Sequence, residues 1–111
     1  MGLFDLIIPG RYNARLTTLA DAIAQRSHEA VWDKVAVRLA TMSATEARGY
    51  VRARSRLVIA GGVTRVMTTE SWIQASSEPN LVGLAAESAV HLALTRHHRA
   101  LEQGALLRRA A

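Results

Sequence analysis

The chain contains no cysteine. Disulfides, thiolate zinc sites, iron–sulfur clusters and thiol nucleophiles are therefore excluded together. Lysine is almost as scarce: Lys34 stands alone, and arginine carries nearly all the positive charge. Two tryptophans, two tyrosines and one phenylalanine are too few for a base-stacking platform. No long hydrophobic run exists either. The longest, Leu57 to Val63, falls far short of the ~20 residues a membrane-spanning helix needs. The first residues carry no basic segment ahead of their apolar run, so no secretory signal is read, and Leu6 stands where a myristoylation motif wants Ser or Thr. The expected location is cytoplasmic.

What is present is a chain of 111 residues, 50% hydrophobic, with a net charge of +5. This is the usual size of one domain, and residues 1–111 are expected to form one. A domain this small buries roughly two-thirds of the surface its unfolded chain exposes, so self-association would add useful burial. Abundant alanine and arginine are also what a GC-rich coding bias produces, so the arginine excess alone does not establish a function. Arginine nevertheless brings a planar fork that grips carboxylate or phosphate with two bonds, and the basic balance favours an acidic partner.

Helical periodicity dominates the chain. Pro9 and Gly10 close an apolar leader, residues 1–9. Tyr12, Leu16, Leu19 and Ile23 then form one stripe, which Ser27 and His28 are expected to end. Trp32, Val35, Leu39 and Met42 mark a second helix. Ser43-Ala44-Thr45-Glu46 reads as a capping box that starts a third. In that helix Ala47, Tyr50, Val51, Leu57 and Val58 share a face with Arg54 near its middle, while Arg48, Arg52 and Arg56 line another side. Beyond Gly61-Gly62 the apolar residues Ile59, Val63, Val66 and Ile73 fall along the arginine line, which predicts a kink or break at the glycine pair. Ser76 to Asn80 reads as a loop with Ser77 as a helix cap. A fourth helix follows from Pro79 to Gln103, with Leu81, Leu84, Ala85, Ser88 and Leu92 as its stripe. Gly104 is expected to end it, leaving residues 105–111 as a basic tail. The fold class expected is all-α: a small irregular antiparallel bundle of about four helices.

Candidate sites follow from this layout. Arg48, Arg52 and Arg56 have no acid one turn away, and Arg11 and Arg15 repeat their spacing, so these five are the expected anion- or partner-binding residues. Leu3, Phe4, Leu6, Ile7 and Ile8 of the leader, with Trp72 and Ile73, are the expected oligomer interface. The stretch from Gly2 to Leu6 resembles the opening of aurein-type membrane-active peptides, but the lysines that follow in those peptides are missing, and a membrane surface is not the expected partner. Arg54 calls for a carboxylate such as Glu70 or Glu87, or for its own long stem to carry the charge outward. Glu87, His91 and His98 project to one side, but two turns, about 10 Å, separate the two histidines, so neither a metal nor a cofactor is expected. No nucleophile elbow, phosphate loop or metal-binding pair is present. The functional expectation is a non-catalytic helical interaction or assembly module that is homo-oligomeric or docks an acidic protein surface. The alternatives are a nucleic-acid-binding protein using the arginine face and a small enzyme or metal protein around Glu87 and His91.

Overall fold

The computed structural model describes residues 9–110. Among them the regular structure is entirely helical. Helix α1 runs Pro9–Leu39, α2 runs Ala44–Thr69, a short 3-10 turn covers Ala75–Ser77, and α3 runs Glu78–Ala110. The architecture is thus an up-down-up bundle of three long helices, not four, with α2 antiparallel to its two neighbours. Side-chain contacts between Tyr12 and Ser77 at one end, and between Glu29 and Arg96 further along, fix α1 and α3 as parallel.

The expected break at Ser27-His28 does not occur, and α1 is one helix. Its buried line is Leu16, Ala20, Ile23, Ala24, Ser27, Val31, Val35 and Leu39. Alanine and serine bridge the two apolar stripes seen in the sequence. Serine and histidine lower helix propensity by only tenths of a kcal/mol, so burial of the surrounding stripe outweighs them.

The capping box of α2 is formed. Ser43 Oγ accepts from the Glu46 N–H at 3.2 Å, and the Ser43 N–H donates to Glu46 Oε1 at 3.4 Å. From this start the helix passes unbroken through Gly61-Gly62, and no described glycine has a positive φ. The buried line is Ala47, Val51, Ser55, Ile59, Val63 and Val66. Each four-residue step overshoots one turn by about 40°, so the line spirals around the helix. The change of face that suggested a kink is this drift: α2 rotates its contact surface as it passes along its neighbours. Leu57, read as a core position, is 82% exposed, and Arg54 is exposed as well. The error came from weighting Leu57 over Ser55, which occupies the real seam with Ala47 and Val51.

Gly104 does not end α3, which continues to Ala110. The stretch from 105 on, read as a tail, is helical as far as the described residues go. Ser77 caps nothing; its hydroxyl meets Tyr12.

The core falls into two clusters. One gathers Leu16, Ile23, Ile59, Val63, Ile73 and Leu81 near the α2–α3 connection. The other gathers Val31, Val35, Leu39, Val51 and Val90 near the α1–α2 turn. Between them the buried lines of α1 and α2 carry serine, Ser27 and Ser55. The radius of gyration is 16.9 Å, against about 13 Å for a compact domain of this length. The molecule measures 61 × 24 × 23 Å, a rod whose core is long and thin.

The two glycines of α2 differ in what they face. A Cβ at Gly61 would meet open space, whereas one at Gly62 would lie 3.0 Å from Ile23 Cγ2. Ile23 is buried and, being β-branched in a helix, has little rotamer freedom with which to yield. Gly61→Ala is expected to stabilise by up to about 1 kcal/mol through helix propensity. Gly62→Ala is expected to destabilise, because overpacking exceeds that gain. Paired thermal melts check this; two stabilised variants would show that α1 and α2 are not in close contact here.

Candidate binding surfaces

The arginine stripe of α2 is partly engaged within the fold. Arg52 forms a hydrogen-bonded ion pair with Glu87 of α3, and Arg48 lies 3.8 Å from the other oxygen of the same carboxylate. Antiparallel packing of α2 on α3 sets one acid between two arginines a helical turn apart. The three side chains are about half exposed. Arg56, the third member, has no ion pair with any described residue. Arg54 meets neither Glu70 nor Glu87; its charge simply reaches solvent.

This pairing decides the fate of the Glu87–His91 constellation too. Among the described residues Glu87 pairs with the two arginines, and His98 pairs instead with Glu102 at 3.0 Å, one turn along α3. Among the described residues no three acids or histidines stand close enough to hold a metal ion.

Arg11 and Arg15 border a shallow open groove with Leu19, Glu70 and Trp72 at the start of α1. The Arg15 guanidinium lies 3.9 Å from the centre of the Trp72 ring. Tyr12 meets the same indole edge-on at 5.9 Å, and its hydroxyl accepts from the Gln74 N–H at 3.1 Å and bonds Ser77 Oγ at 2.7 Å. The segment after α2 is thereby fastened to α1. Trp72 is half-buried and Ile73 is fully in the core. Ile73 is thus no outward interface residue: it closes the core under the α2–α3 connection. The other expected interface residues, Leu3, Phe4, Leu6, Ile7 and Ile8, lie outside the described residues.

Trp32, an apparently exposed position in the sequence, is roofed. Arg96 of α3 stacks its guanidinium 4.5 Å from the Trp32 ring centre and donates to Glu29 at 2.8 Å. It also donates to His28 Nε2 at 3.3 Å. Because arginine only donates, Nε2 is the accepting nitrogen and the ring proton sits on Nδ1, a buried atom with no partner.

The region that sequence reasoning passed over is the end of α3. Ala93 is its last buried residue. Beyond it Leu101, Leu106 and Leu107 are 53%, 62% and 71% exposed. Where this stretch leaves the α1–α2 turn, Met42, Ala44, Ala47, Leu94 and Leu101 line an apolar groove of about 330 Å³. Leu101 at the end of the expected fourth helix, with Leu106 and Leu107 in the basic tail, was the available signal. At about 100° per residue they point in three well-separated directions. No protein family model matches the chain, and neither a curated protein nor a solved structure matches it.

The shared Glu87 is a surface feature, and its removal is expected to cost less than about 1 kcal/mol. The loss in Glu87→Gln should shrink as salt is added, since exposed pairs are screened. Urea denaturation at low and high salt checks this; a salt-independent loss of several kcal/mol would contradict an exposed pair.

Proposed function

We propose that the chain is a non-catalytic helical assembly module that associates with further copies of itself through the projecting end of α3. The observation that carries the reading is the exposure of Leu101, Leu106 and Leu107 on a helix that has outrun its core. A helix apolar on several sides is ordinarily enclosed. A single flat partner cannot cover three leucines that point in different directions.

The nearest apolar complement is in the chain itself. The leader supplies Leu3, Phe4, Leu6, Ile7 and Ile8. It joins α1 at the opposite end of the rod. The 31 residues of α1 span about 46 Å at 1.5 Å per residue, while eight residues reach at most about 29 Å when fully extended. A leader therefore cannot cover the α3 end of its own molecule, but it can cover that of another. The leader or the α3 end of a second copy is the occupant this reading assigns. Homo-oligomeric closure also offsets the thin core of the isolated rod.

An acidic protein surface is the second reading, supported by Arg54 and Arg56, exposed on α2 with no carboxylate partner. A nucleic-acid interface along Arg48, Arg52 and Arg56 has weaker support, because Glu87 already engages the first two.

Light scattering of the full chain at tens of micromolar is expected to give a dimer or larger particle. The triple variant Leu101→Gln, Leu106→Gln, Leu107→Gln is expected to be monomeric with unchanged helical circular dichroism. A monomeric parent chain, or a variant of unaltered particle mass, would overturn the proposal.

A further inference from the structure

Where Gly62 brings α1 and α2 together, a groove of about 180 Å³ opens beside the contact. Its apolar lining comes from Ile23, Val58 and Val66, and its polar lining from Ser27, Arg26 of α1 and Arg65 of α2. Three observations set it apart from the rest of the surface.

First, Ser27 is only 9% exposed, yet its hydroxyl makes no hydrogen bond within the described protein. Helical hydroxyls normally donate to a carbonyl of the preceding turn. Thr17, Thr18, Ser55 and Thr68 all do so in this chain. Ser27 lines the groove with its donor unused. Second, among the described residues neither the Arg26 nor the Arg65 guanidinium has an ion pair, hydrogen bond or ring contact, whereas those of Arg48, Arg52 and Arg96 are all engaged. Two exposed guanidinium groups without an ion pair among the described residues thus border one small groove from opposite helices, where an anion could meet both. Third, the groove exists because position 62 lacks a side chain: a Cβ there would lie 3.7 Å from Ser27 Oγ and would fill the floor.

We propose that this groove binds a phosphate group, as free phosphate or as a small phosphomonoester. The volume lies below the roughly 300–1,000 Å³ of pockets for drug-sized ligands, which fits a phosphate group rather than a larger ligand held whole. Two arginines match the charge of a phosphate dianion, and each fork donates two parallel bonds to neighbouring oxygens. The Ser27 hydroxyl supplies a further donor from the floor. A carboxylate has only two oxygens and one charge, and leaves one fork unused. The site lies in the middle of the rod, away from the α3 end, and stands independently of the self-association reading.

The test is an amide chemical-shift titration of the full chain with inorganic phosphate, exchanged against chloride at constant ionic strength. Saturating shifts are expected at the amides of residues 23–30 and 62–66, with no saturation by acetate. The double variant Arg26→Gln, Arg65→Gln should weaken binding at least tenfold, and Ser27→Ala severalfold. Arg54→Gln, Arg56→Gln, altered outside the groove, should bind as the parent does. Two further arms separate the sources of phosphate. Glycerol 3-phosphate shifting the same amides identifies a soluble ester, and capture by phosphatidic acid vesicles that requires Arg26 and Arg65 identifies a lipid headgroup. Shifts that grow linearly without saturation, or a double variant with unimpaired binding and an intact melting transition, would overturn the proposal.

Discussion

Close approach of the helices through small residues is the constraint on which the rest of this structure depends. Ala20, Ala24 and Ser27 on α1, Ala47, Ser55 and Gly62 on α2, and Ala85, Ala89 and Ala93 on α3 sit at the seams. Small side chains let helix axes approach, and the ridges of one helix then fall into the grooves of the next. They also bury little apolar area per residue, about 25 cal/mol per Å² removed from water. The outcome is a rod held along its whole length by modest contacts, with larger aliphatic residues in two clusters and serines between them. Gly62 is the sharpest instance, because its missing side chain both admits Ile23 and leaves the groove that Arg26 and Arg65 face.

The arginines divide according to what that packing brings near them. Some are absorbed: Arg48 and Arg52 by Glu87, Arg96 by Glu29, His28 and Trp32, and Arg15 by Trp72. Stacking and pairing hold the helices in register more than they stabilise them, since exposed pairs contribute little. Others, including Arg26, Arg54, Arg56 and Arg65, meet no counter-charge among the described residues. These exposed arginines are the electrostatic side of the proposed binding role, as the leucines of α3 are its apolar side.

Features legible in the sequence were the local ones. The capping box could be read because every group it needs lies within four residues. The all-helical class followed from periodicity. Helix number was misread at Ser27-His28, where serine and alanine complete a buried stripe that only a neighbouring helix reveals. The supposed break at Gly61-Gly62 arose from a four-residue repeat on a 3.6-residue helix, whose rotation is plain once α1 and α3 are in place. Glu87 was noticed for its neighbour His91, yet its partners come from 35 and 39 residues away in the chain: 87 − 52 and 87 − 48. Leu101 was left off the apolar stripe of the fourth helix, and Leu106 and Leu107 were assigned to a tail because Gly104 resembles a helix terminator. In α3 the helix carries on through it.

Amide hydrogen exchange along α3, followed as a function of protein concentration, tests the account most directly. In dilute solution the amides up to Ala93 should exchange at the rate of global unfolding, and those from Glu102 on should exchange quickly, because a helix end without tertiary contacts frays. As concentration rises into the range of self-association, residues 102–108 should gain protection while the interior of the bundle changes little. Exchange at 102–108 that stays equally fast at every concentration would contradict a role for this helix end in assembly.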